Sequence, residues 1–142
     1  MDYTDLAKQN LETFLQFYRT RMNQMMNESM HGEAYVLRYI SNIDGDVVPG
    51  DISNAMGISS ARMATVLNGL ENKGLITRHF DSNDRRRTIL KLTQAGVEQA
   101  DSCTSRIVES TAKMLEYLGE NDSKEYIRIL HRISESHLKC PD

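Results

Sequence analysis

Apolar residues return along this chain with two different periods. Leu11, Leu15, Tyr18, Met22, Met25 and Met26 recur at steps of about three or four, the spacing of one helical face, and no Gly or Pro interrupts Thr4 to Met30. One long helix is predicted there. His31-Gly32 ends it, and Ala34, Leu37, Tyr39 and Ile40 mark a short second helix that stops before the Asp44-Gly45 turn signal. Pro49 suits the first position of a third short helix, with Ile52, Ala55 and Met56 facing inward and Gly57 as its stop. Ile58 packs beyond the turn, and Ser59 or Ser60 caps a fourth helix with Met63, Val66, Leu67 and Leu70 on one face, ending at Lys73-Gly74.

The period then changes. Leu75 to Phe80 and Thr88 to Leu92 are short runs rich in β-branched and apolar residues, separated by the polar stretch Asp81 to Arg87, so a hairpin with a charged tip is predicted. From Thr93 a capped helix carries Val97, Ala100, Thr104, Ile107, Thr111, Met114, Leu115 and Leu118 on one stripe, and a last helix from Asp122 carries Ile127, Leu130, Ile133 and Leu138. The expected fold is mainly α with a small β-hairpin wing: a winged helix-turn-helix over residues 30–95, flanked by long helical dimerisation segments at 1–29 and 96–142.

Composition sharpens this picture in two places. The net charge of -3 would argue against a nucleic-acid partner, but residues 59–93 hold seven basic side chains against three acidic ones, which leaves a net -7 for the rest of the chain. The positive charge is local, and so is the expected partner. The two cysteines, Cys103 and Cys140, are too few and too far apart for a disulfide framework, and no segment approaches the ~18 apolar residues of a membrane span. With no leader-like start, a cytoplasmic protein without membrane contact is expected.

Two short helices joined by a glycine turn and followed by a hairpin describe a unit whose second helix enters the DNA major groove. The first turn of that helix offers Ser59, Ser60, Arg62, Met63 and Thr65, with Asn68 one turn further on, and Arg62 is the leading candidate for base readout. At the hairpin tip, Asp84-Arg85-Arg86-Arg87 places three guanidiniums within four residues, suited to the negative potential of a minor groove, with Asp84 able to orient one of them. Arginine runs are more often solvated turns, and only the helix-turn-helix upstream makes this one a DNA contact.

Asp84-x-Arg86, then five intervening residues, then Leu92-Thr93, together with Ile52 to Ser59 and Leu70 to Ile76 upstream, resembles the wing and helix-turn-helix of the MarR family of regulators. The resemblance implies a homodimer joined through its first and last helices, two winged modules on a pseudo-palindromic double-stranded operator, and a repressor released by a small anionic or aromatic effector, an oxidant or a metal. It also implies that Asp84 and Arg86 are paired wing residues and that Ser59 to Asn68 lie in the groove.

An effector pocket could be lined by Met22, Met26, Met30, Tyr35 and Tyr39, although such a methionine stripe is more commonly core or interface. His137 and Cys140 have metal-ligand spacing but no further ligand nearby in sequence, and His31 at a helix break suits a cap, so no metal and no cofactor are expected. The first hundred residues contain no cysteine, which disfavours peroxide sensing of the kind placed near the first helix. Neither a phosphate loop nor a nucleophile-base set is present, so no enzyme activity is expected. The rival reading is a winged-helix adaptor or anti-regulator that contacts protein instead of specific DNA.

Overall fold

The structure is a computed structural model that describes residues 2–136, and their side chains except those of residues 28–30. Its elements are α1 (Tyr3–Tyr18), α2 (Arg21–Met30), α3 (Gly32–Asn42), α4 (Pro49–Met56), α5 (Ser60–Asn72), β1 (Ile76–Phe80), β2 (Thr88–Leu92), α6 (Gln94–Leu118) and α7 (Glu120–Glu135). The expected fold class, helical with one two-stranded antiparallel hairpin, is what forms.

The single long first helix is corrected to two. Thr20 leaves the helical region at φ -71°, ψ 147°, and its hydroxyl accepts from the Asn23 amide at 3.2 Å while donating to the Phe17 carbonyl at 2.7 Å. The Asn23 side chain also donates to the Tyr18 carbonyl at 3.1 Å. Thr20 and Asn23 thus satisfy orphan groups of both helix ends, which makes a break here cheap without Gly or Pro. The last helix starts at Glu120 rather than Asp122, behind Gly119 at φ 80°.

Two compact units divide the chain, residues 1–107 and 108–142. The core of the first collects Val36, Leu37 and Ile40 from α3, Ile52 from α4, Met63, Leu67 and Leu70 from α5, Ile76 and Leu90 from the hairpin, and Ala100 from α6. Val47 joins them through an isolated bridge to Leu90, whose N–H donates to the Val47 carbonyl at 2.8 Å, adding a third strand-like segment to the hairpin. In the second unit, the Ser123 hydroxyl donates to the Leu115 carbonyl at 2.7 Å, tying the start of α7 to the last turns of α6.

Large apolar side chains remain exposed on α1 (Leu11, Phe14, Leu15, Tyr18) and, within the second unit, on α7 (Ile127, Leu130, Ile133). Among the described residues no helix is long and apolar enough to cross a membrane.

The hairpin is held to α6 by one compact device. The Thr93 N–H donates to the Leu75 carbonyl at 3.1 Å, its hydroxyl donates to the Gly74 carbonyl at 2.6 Å, and the same oxygen accepts from the Gly96 N–H at 3.0 Å as an N-terminal cap. A Cβ on residue 96 would sit 1.9 Å from the Leu75 carbonyl oxygen, so only glycine permits this approach.

Candidate nucleic-acid interface

The helix-turn-helix forms from α4 and α5. Gly57 caps α4 in the left-handed region at φ 65°, and its N–H and that of Ile58 bond back to the Asn54 and Ser53 carbonyls. Ser59 is the N-cap of α5, its hydroxyl accepting from the Arg62 N–H at 3.2 Å. That bond occupies Ser59 in holding the helix start. Ser60, Arg62, Thr65 and Asn68 are exposed.

Met63 is a correction: it is 1% exposed and packs in the core with Leu67 and Leu70, because three- and four-residue steps put all three on the inward side of α5. Opposite that side the same period places Ala61, Thr65, Asn68 and Asn72, all exposed. Ala61 and Asn72 were not singled out from sequence, although the helical period alone, referred to Met63 and Leu70, would have found them.

At the wing the three arginines have different surroundings. Arg87 donates from Nη1 to Asp81 Oδ2 at 2.7 Å and lies 3.7 Å from Asp46 Oδ2, which fixes it against its own hairpin. The bond from the Asn83 N–H, followed by that from Arg87, holds the Asp81 carboxyl below the usual carboxylate range, and the Asp81 bond raises Arg87 above its ordinary value. Asp84 chiefly serves the backbone, its Oδ1 accepting from the Arg86 N–H at 3.0 Å, while the Arg86 side chain, 98% exposed, comes only to 4.0 Å. The tip therefore presents Arg85 and Arg86, with Asp84 shaping the turn and Arg87 bracing its base. Phe80, 75% exposed, stands across from Thr88 at the end of the ladder.

Wing and helix are joined by a residue to which sequence reasoning assigned no role. Arg78, on β1, donates from Nη2 to Asn68 Oδ1 at 2.6 Å and places Nε 3.3 Å from Glu71 Oε2. At the far end of α5, Lys73 Nζ meets Glu33 Oε2 of α3 at 2.5 Å. A Cβ on residue 69 would lie 2.6 Å from the other Glu33 oxygen, so Gly69 makes room for that carboxylate.

The expected effector pocket is brought together in part. Met26 and Tyr35 line a cleft of about 810 Å³ with Ile58, Arg62 and Val66. Met22 does not line it, and Tyr39 turns with Tyr35, ring centroids 6.2 Å apart, toward a smaller neighbouring cleft with Arg38 and Asn42. The Met30 side chain lies outside the described residues, as do His137 and Cys140. Cys103 is buried with a free thiol, and the His31 side chain makes no capping bond at the start of α3.

A helix-turn-helix with a positively tipped hairpin, its second helix exposed along one face, defines the class of winged helix-turn-helix proteins. Residues 29–87 match the family model described as the MarR family. Over that stretch, which takes in α3 to the hairpin tip, the chain is similar to the MarR family. Along almost its whole length, 95% of this chain and 100% of the relative, it is 24% identical to the HTH-type transcriptional regulator YwhA of Bacillus subtilis. The crystal structure of YusO from Bacillus subtilis shares the fold at a TM-score of 0.70 with 20% identity, covering 94% of this chain and 95% of that one. The MepR-DNA complex of S. aureus does so at a TM-score of 0.61 with 24% identity, covering 94% and 96%.

Proposed function

We propose that this protein is a homodimeric reader of pseudo-palindromic duplex DNA that represses transcription and lets go when a small molecule binds. The observation that carries the reading is the exposed face of α5, with Ser60, Arg62, Thr65 and Asn68, joined through Arg78 to a wing whose tip exposes Arg85 and Arg86. Hydroxyls, an amide and a guanidinium suit base edges and phosphates, and the wing cations suit the narrow groove beside them. A solved relative, MepR, is described in complex with DNA. The exposed apolar faces of α1 and α7 supply surface for pairing two copies, which would set two reading helices about one DNA turn apart, roughly 34–36 Å.

Arg62 also lines the cleft that holds Met26, Tyr35 and Val66. A small aromatic anion seated there would engage the guanidinium that the operator needs, which supports release by ligand. The test is titration of the purified protein with duplex from its own promoter region and with an unrelated duplex, at low and moderate salt. Preferential, salt-sensitive binding by a dimer is expected. Equal binding to both duplexes at every salt concentration would favour the protein-contact adaptor instead.

A further inference from the structure

The contact between Arg78 and Asn68 fixes which atoms Asn68 shows to a base. A guanidinium has donors and no acceptor, so the Asn68 atom that meets Arg78 Nη2 at 2.6 Å is the carbonyl oxygen, and the amide NH2 is turned to the other side. Among the described residues that NH2 has no partner. Glu71, one turn along α5 from Asn68, lies 3.3 Å from Arg78 Nε and holds the guanidinium in place from its other side.

An unengaged asparagine reads adenine with both ends of its amide, donating to N7 and accepting from N6. Here the accepting end already faces a cation, and an adenine amino group brought beside it would meet a second set of positively polarised hydrogens. Oδ1 keeps a second lone pair, but it lies beside that guanidinium, so the group best placed to serve a base is the donor NH2. Guanine shows the complementary edge, O6 and N7, two acceptors and no donor.

We propose that Asn68 and Arg78, braced by Glu71, act as one composite donor that selects guanine over adenine at one position of each half-site, with Asn68 as the specificity-determining residue and Arg78 as its positioning residue. The proposal rests on α5 being the groove-reading helix.

The experiment is selection of bound duplexes from a pool randomised across the promoter-derived site, using the wild-type protein, Asn68→Ala and Arg78→Met. In the wild type, one position per half-site returns guanine. Asn68→Ala flattens that position alone, and Arg78→Met, by freeing the amide oxygen, moves it toward adenine with a change of about tenfold in the guanine-to-adenine ratio. A second measurement needs no variant: 7-deazaguanine at that position, lacking the N7 acceptor, weakens binding of the wild-type protein about fivefold or more. An Asn68→Ala profile identical to the wild type, an Arg78→Met profile weakened evenly at every position, or indifference to 7-deazaguanine would each overturn the proposal while leaving the groove reading standing. A wild-type selection that returns no preferred sequence would overturn both.

Discussion

Arg86 stands in solvent at the wing tip while Arg87 next to it is bonded to Asp81, so equal substitutions at the two positions should act through different routes. Arg86→Ala removes one phosphate or minor-groove cation: affinity is expected to fall similarly for all duplexes, and the salt dependence to lose about one unit of slope. A salt titration on specific and unrelated duplexes checks this. Arg62→Ala is expected to cost roughly 1–3 kcal/mol on the preferred site and to relax base preference, read by titration against single-base variants of that site. Unchanged preference would remove Arg62 from the reading face. Asp81 ionises below the ordinary carboxylate value of 3.8, so its contribution to wing order is fully present above that pH and is lost as pH falls through the lower folded value. Side-chain carboxyl NMR should give Asp81 a midpoint below 3.8 in the wild type and a higher one in Arg87→Ala.

Among the elements, α3 to α6 and the hairpin were legible because each is bounded by a residue whose backbone chemistry is visible in the sequence: Gly57 for the turn, Ser59 for the cap, Thr93 for the start of α6. The break between α1 and α2 was not, because Thr20 and Asn23 create it by side-chain bonds that the apolar stripe running through them conceals. The exposed face of α5 was legible in its polar members, while Met63 was read both as part of the apolar face with Leu67 and Leu70 and as a groove residue, and its burial leaves only the first. The Arg78 bridge could not be read at all, since it depends on how a strand residue crosses a helix ten positions earlier. Gly96→Ala drives a methyl into the Leu75 carbonyl and is expected to destabilise the first unit by about 3 kcal/mol, the upper end for overpacking, as measured by thermal or urea unfolding. A loss under about 0.5 kcal/mol would mean that the strand and α6 can separate there at little cost.

For the molecule as a whole, charge and apolar surface are segregated along the sequence: the cations concentrate between residues 59 and 93, while unpartnered apolar side chains lie on α1 and on α7. Leu15→Glu together with Ile133→Glu is expected to leave a monomer by analytical ultracentrifugation and to abolish tight operator binding, because one winged module then contacts one half-site alone. A double variant that still sediments as a dimer would place the pairing surface elsewhere. The exposed faces of α1 and α7 also have a consequence for regulation in the cell. If they pair two copies as proposed, a subunit that acts only once paired would respond to its own abundance: where pairing is incomplete, operator occupancy would climb with the square of the number of copies, so the rate at which the protein is made would become an input to the proposed switch beside any ligand.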